Sequence, residues 1–399
     1  MARTKKGNRG IYLDYAATTP IDPRVLRAML PYLKEKFGNS VSLYKLGRET
    51  KIALEQTRLT VVEAVKAKHK EEIIFTSSAT ESNNFALKGI ALASVHRRNG
   101  LANQNQGKHI IISAIEHDCV LNSALWLEKL GFKITQIKPD KYGLINPKDV
   151  ERAITEDTIL VSIIHGNNEI GTIEPIEEIG GICQKKGVYF HTDAAQTFGK
   201  IPIDVEKMKV DLLTASSHKI YGPKGAAFLY IKKGTKIDPL LHGGGHEFGL
   251  RSSTVNIPAI VGFGKAIEIC EKQMSKESKR LTKLRDQLIQ GVLTKIPHSH
   301  LNGHPKKRLP NNANFWFDFV EGESIVASLD EYEIAASTGS ACSSEKLEPS
   351  HVLISCGLHP ECAHGSLRLT LGRWTTKKDI DYTLKILEKV ISNLRKISP

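Results

Sequence analysis

Between residues 70 and 235 the chain repeats one alternation. A short run of β-branched and aromatic residues is followed by a longer stretch whose apolar positions recur at helical spacing. The runs at 73–75, 109–112, 132–137, 159–164, 188–191, 211–215 and 226–231 predict strands, with helices at 81–96 and 119–130 between them. Runs this short and continuously apolar suit strands covered on both faces. Strand and helix in alternation predict an α/β fold with a large, mostly parallel sheet. Beyond residue 235 the rhythm changes. A long helix is expected at 258–294, a strand at 313–319, a helix near 324–329 and an amphipathic helix at 377–397. The expected division is a large domain at 20–262 and a smaller α/β domain built from 1–19 plus 263–399, the latter carrying a loop at 336–350.

With 399 residues, 40% of them hydrophobic, the chain can bury a sizeable core. No apolar stretch reaches the roughly 18 residues of a membrane-spanning helix. The basic stretch from Met1 to Gly10 has no hydrophobic run behind it, so a cytoplasmic protein without membrane contact is expected. The six cysteines, at 119, 183, 270, 342, 356 and 362, lack CxxC spacing, which points away from a zinc cluster and from a disulfide framework. No metal is expected. The net charge of +13 is spread along the chain rather than gathered into a stripe with aromatics, so no direct nucleic-acid partner is expected.

The chemistry sits where strands end. One apolar run closes on Ser216-Ser-His218-Lys219, and an earlier one closes on His191-Thr-Asp193-Ala-Ala-Gln196. A lysine amine condenses with an aldehyde as a Schiff base, and a carboxylate keeps a pyridine nitrogen protonated, so this pairing suits pyridoxal phosphate. Thr76-Ser-Ser-Ala79-Thr80-Glu-Ser-Asn-Asn84 lies between a strand and a helix, and serves either as an ordinary N-cap or as an anion site at the helix N-terminus. His117 and Asn168 each follow a strand. The first is a packed residue or an imidazole lying on a ring and shuttling protons; the second has an amide able to donate to a phenolate. Cys342 stands among small residues with Gly and Pro, the composition of an exposed loop and a reactive thiol. Arg368 lies within a strand-like run, where a substrate carboxylate and a protein carboxylate have equal claim as its partner.

Together these segments resemble pyridoxal-phosphate-dependent cysteine desulfurases of the NifS/IscS type, in the class-V aminotransferase family. The similarity runs over nearly the whole chain. Its most specific elements are Asp14-Tyr-Ala-Ala-Thr-Thr-Pro20, Thr80-Glu-Ser-Asn-Asn84, Asn167-Asn-Glu-Ile-Gly171, Ser-x-His-Lys219, His242-Gly-Gly-Gly-His246 and Gly339-Ser-Ala-Cys342. The resemblance implies the aminotransferase-type fold (fold type I), with a large sheet domain and a smaller C-terminal one, in a homodimer. It implies Lys219 as the Schiff-base lysine, Asp193 at the pyridine nitrogen, and Gln196 and Asn168 near the phenolic oxygen. Ala79, Thr80, Ser216 and His218 would hold the phosphate, joined by Thr254 from the partner subunit, with His117 stacked on the ring. Arg368 would bind the carboxylate of L-cysteine, and Cys342 would take its sulfur as a persulfide for a sulfur-acceptor protein, an iron–sulfur scaffold or a tRNA-thiolation enzyme. The alternative is another enzyme of the same scaffold, a selenocysteine lyase or an aminotransferase.

This chain departs from the family pattern in places. Ser78, Ser217 and Ser253 stand at positions usually filled by small residues, most often glycine at 78 and 253. Serine there adds strain if φ must be positive. Tyr44 replaces a common histidine, and Phe248 a usual arginine.

Overall fold

The computed structural model of the protein describes residues 10–96, 107–339 and 348–397. The chain begins with β1 (Ile11–Tyr12), α1 (Pro23–Lys34) and α2 (Lys45–Val65). Strands and helices then alternate through β2 (Ile73–Thr76), α3 (Ala79–His96), β3 (His109–Ser113), α4 (Asp118–Lys129), β4 (Lys133–Ile137), α5 (Pro147–Ala153) and β5 (Thr158–Ser162). They continue through α6 (Ile176–Lys186), β6 (Tyr189–Asp193), α7 (Val205–Met208), β7 (Leu212–Ser216) and β8 (Ala227–Ile231). The 39-residue α8 (Ile257–Lys295) leads to β9 (Ser299–Asn302), β10 (Asn312–Phe317), α9 (Gly322–Asp330) and β11 (Ile334–Ala335). The last elements are α10 (His351–Ser355), α11 (Pro360–His364), β12 (Ser366–Thr370) and α12 (Lys377–Ile397).

Seven strands form the large sheet in the order β2-β8-β7-β6-β5-β3-β4, parallel except for β8, which runs against both neighbours. The α/β reading therefore holds, and the expected strands lie within two residues of the observed ones. Each strand divides its side chains between two cores at period two. Ile111 packs on one face of the sheet while Ile110 and Ile112 pack on the other, and Phe228 and Tyr230 oppose Leu229 and Ile231 in the same way. A second, antiparallel sheet, β12-β10-β9, lies on a third core with α9 and α12. Helix α8 joins them: residues from Ile257 to Cys270 belong to a core of the large sheet, and Leu281, Leu288 and Val292 belong to the core of the small one. No helix among the described residues is long and apolar enough to cross a membrane.

The sequence reading did not assign α1 and α2. The caps were legible, with Asp22 accepting from the Arg24 backbone N–H and Pro23 in the first turn. The apolar face was harder to read, because Leu26, Leu30 and Leu33 of α1 are exposed rather than buried. Of the departures noted above, Ser78, Ser217 and Ser253 all have ordinary negative φ, so serine costs no strain there. Phe248 does adopt φ +57°, and the Arg58 guanidinium lies 4.9 Å from its ring and 4.9 Å from that of Phe75.

Arg58 is buried in α2 and paired in a fork with Glu247, at 2.7 Å and 2.8 Å. Its Nη1 also reaches the Ile73 carbonyl, and Glu247 accepts the Phe75 backbone N–H. The pair thus fastens α2 and the segment after β8 to the edge strand β2. Replacing Glu247 by Ala leaves a buried guanidinium with only Glu55, at 3.1 Å from Nε, as a charged partner, so equilibrium denaturation should show a loss of about 3 kcal/mol. A loss below about 1 kcal/mol would show that the charge finds relief elsewhere.

Candidate active site

The carboxyl ends of β3, β5, β6 and β7 point to one side of the large sheet, the edge at which α/β sheets gather ligands. A cavity of about 520 Å³ opens there. Ala79 and Thr80, in the first turn of α3, reach it from the end of β2. His117 comes from β3, Asn168 from the loop after β5, Asp193 and Gln196 from β6, and His218 and Lys219 from the single 3₁₀ turn that ends β7. Arg368 enters from β12 of the smaller sheet. Gly171 makes the turn behind Asn168 at φ +78°; a Cβ there would lie 2.7 Å from the Asn312 side-chain oxygen.

The lysine amine of Lys219 donates to the Ala17 carbonyl at 2.7 Å and to the Ala16 carbonyl. The Ala16 carbonyl also accepts from Gln196 Nε2 at 2.9 Å. Asp193 is held on both carboxylate oxygens, by the Ala195 backbone N–H at 2.8 Å and by Asn83 Nδ2 at 2.6 Å. His218 sits 3.1 Å from Thr18, and burial, helped by the charge of Lys219, pushes its imidazole down to about 4. It is therefore a neutral hydrogen-bonding group at physiological pH.

Arg368 resolves one open alternative. Its Nη2 forms an ion pair with Asp14 at 2.8 Å, and its Nη1 donates to the Asn168 and Gly339 carbonyls. A protein carboxylate is thus its partner here, yet Nε is buried without a hydrogen bond and leaves one donor for a ligand. Ser216 lies buried at the end of β7, and its hydroxyl also lacks a partner. Thr254 is exposed and does not line this cavity. Cys342 lies outside the described residues, but Gly339 and Glu348, which bound its segment, both line the cavity.

Four contributors were not singled out from the sequence. Asn83 was visible inside its motif, but nothing in the pattern says that it holds Asp193. Asp14 likewise belongs to a quoted motif without a stated partner. Lys200, four residues after Gln196, donates to the Gln196 carbonyl at 2.9 Å and to its side-chain oxygen at 3.2 Å. Burial and the nearby Lys219 push its amine down to about 7. Glu116, beside His117, is fully buried. One of its carboxyl oxygens accepts from Ser113 at 2.5 Å and from the Ile164 backbone N–H at 2.7 Å, while the other has no partner. Burial pushes it up to about 8, with Asp193 adding to the rise.

These groups fit a phosphorylated pyridine aldehyde. An amine, an acid already oriented by two donors, an imidazole and a helix N-terminus share one cavity. The first turn of α3 suits an oxyanion, whereas the unsatisfied Ser216 hydroxyl lies buried at the end of β7, outside the cavity lining.

A family model described as aminotransferase class-V matches residues 11–383. The cysteine desulfurase IscS of Dictyoglomus turgidum is 53% identical over 391 residues, 98% of this chain and 97% of that protein. The protein of the same name from Methanosarcina thermophila is 50% identical over 392 residues, 98% of this chain and 94% of that one. Among solved structures, one described as a NifS-like protein superposes with a TM-score of 0.88 at 37% identity, covering 96% of this chain and all of its own. SspA in complex with cysteine gives a TM-score of 0.80 at 35% identity, over 92% of this chain and all of its own.

Glu116 makes stability depend on pH. Its acid group titrates near 4.5 ordinarily and near 8 in the fold, so between those values the native state keeps a proton that the unfolded chain releases. Its contribution is whole below the lower value and is lost as pH rises through the higher one. Stability should therefore fall across this window, by at most about 5 kcal/mol from this group, each pH unit being worth about 1.4 kcal/mol. Glu116→Gln, which keeps the shape of the protonated acid, should flatten the decline; equal slopes for the two proteins in denaturant titrations at several pH values would refute the assignment.

Proposed function

Because the chain belongs to the class-V aminotransferase family and is a cysteine desulfurase, we propose that it converts L-cysteine to L-alanine with pyridoxal phosphate at Lys219, leaving the sulfur as a persulfide on Cys342. The observation that carries this reading is the convergence of Lys219, Asp193 and His117 on one cavity bordered by Gly339 and Glu348. Lys219 would hold the cofactor through its amine, with Asp193 for its pyridine nitrogen and His117 for its ring. Ala79, Thr80, Ser216 and His218 would receive the phosphate together with Thr254 of the partner subunit. Gln196 and Asn168 would serve the phenolic oxygen.

When bound, the cofactor supplies an electron sink that makes the substrate's Cα–H acidic and its Cβ–S bond labile. Arg368 takes the substrate carboxylate, with Asp14 fixing the guanidinium and the unpartnered Nε on offer. A cysteine complex of the structural relative SspA agrees with L-cysteine as the ligand. Lys219 carries the proton at Cα. Cys342, as thiolate, attacks the substrate sulfur. An S–S bond forms, the Cβ–S bond breaks, and the electron pair left on carbon takes a proton to give alanine.

The domain division at 262/263 is part of the same proposal, though along α8 the core changes later, between Cys270 and Leu281. A homodimer is supported by the apolar side chains left in water around α1 and α2, among them Leu33, Phe37 and Leu43, the last 88% exposed. The persulfide passes in the cytoplasm to an acceptor protein, an iron–sulfur scaffold or a tRNA-thiolation enzyme.

With L-cysteine and a thiol reductant, the holoenzyme should release alanine and sulfide in equal amounts and no keto acid. Cys342→Ser should cut alanine formation by about 100-fold or more while the cofactor's visible band persists. Alanine formation at the parental rate in that variant would overturn the thiol mechanism.

A further inference from the structure

His117 closes the N-terminus of α4. Its backbone is extended, at φ −65° and ψ 148°, and its Nδ1 accepts the backbone N–H of Cys119 at 3.2 Å. An amide N–H can only donate, so Nδ1 must present a lone pair. A neutral imidazole in that contact carries its proton on Nε2.

A second contact acts on the same nitrogen. The Cys119 sulfur lies 3.1 Å from His117 Nδ1. Burial pushes this thiol up to about 12, so it keeps its hydrogen at neutral pH and can donate it. The sulfur in turn accepts from Asn83 Nδ2 at 3.1 Å, and the same amide donates to Asp193 Oδ2 at 2.6 Å. An amide nitrogen has two hydrogens, and here each has one acceptor. The donors therefore run in one direction, from Asn83 through the thiol to the ring. Asn83 ties the acid of the site to the imidazole.

We propose that Asn83, Cys119 and the first turn of α4 lock His117 as an Nε2–H donor, so that the ring offers a hydrogen rather than a lone pair to the cavity. Asn83 and Cys119 are then positioning residues, acting through Asp193 and His117. A neutral ring with its hydrogen on Nε2 cannot take a proton at that nitrogen. The proton-shuttle role open to His117 from its sequence context is replaced by a fixed hydrogen bond to an electron-rich atom of the bound ligand, and the proton traffic stays with Lys219. The tautomer follows from the contacts of this chain alone; only its use in turnover rests on the cysteine desulfurase reading.

Nitrogen-15 spectra of the histidine-labelled apoprotein test the lock without turnover, with the His117 ring assigned by its absence from His117→Gln. The expected result is a bare Nδ1 and a protonated Nε2. A proton on Nδ1 would overturn the proposal while leaving the desulfurase reading intact. Cys119→Ala keeps the backbone N–H on Nδ1 and loses only the thiol, so Nδ1 should stay bare with a shifted resonance, and kcat should fall about 5-fold with KM little changed, the worth of one hydrogen bond. Cys119→Ser, which keeps a donor, should restore both the ring spectrum and kcat. If Cys119→Ala leaves the ring spectrum and kcat unchanged, the thiol has no positioning role. Loss of alanine formation in a protein whose ring spectrum is as expected would instead count against the desulfurase reading.

Discussion

Asp14 and Arg368 stand 354 positions apart in the chain, and their ion pair is the constraint on which the cavity depends. The pair holds the segment after β1 against β12, where the Ala16 backbone N–H is bound by the Thr370 hydroxyl at 2.9 Å. With that segment in place, the Ala16 and Ala17 carbonyls are available to Lys219 and Gln196. Arg368 also fixes the carbonyls of Asn168 and Gly339. A single guanidinium thus sets the distance between the two sheets at the point where the ligand must lie. Three of its five N–H donors are committed to the protein, so its plane is fixed before any ligand arrives.

The same region holds more ionisable groups than it can hold charges. Glu116 and Glu174 are both pushed up to about 8 by burial, and Lys200 is pushed down to about 7 beside Lys219. Burying an isolated charge costs more than any one hydrogen bond returns, so these groups shed it instead. Asp193, Lys219 and Arg368 face the cavity together with Asp118, Glu169 and Glu348. Around them stand neutral donors and acceptors, among them His218, Gln196 and Asn83. That division is what a site needs when charge is to move through a ligand rather than through the walls.

The strands of the large sheet were legible because their signal is local: a run of β-branched residues without a polar side has few other places to go. The motif residues at strand ends were legible for a related reason, since their types and order are set by the ligand rather than by packing. What was not legible depends on meetings between distant segments. The partner of Arg368 is contributed by residue 14, and nothing in the neighbourhood of either residue names the other. The neutral state of Glu116 arises only when β3, β5 and the loop after β5 enclose it. Helices α1 and α2 escaped because the apolar side chains that would mark a buried face, such as Leu33, are in solvent. The concern over Ser78, Ser217 and Ser253 came from residue type alone, and the observed φ values remove it.

Helix α8 gives the two cores a common fate. It is about 58 Å long if regular, at 1.5 Å per residue, and its two halves are buried in different places. Melting of the smaller core would strip packing from the second half, and fraying would then run along an unbroken ladder of hydrogen bonds into the first. A short flexible linker would let each core melt at its own temperature; a shared helix couples their enthalpies. Calorimetry should accordingly record one heat-absorption peak, with the site at the junction lost in the same transition as the fold.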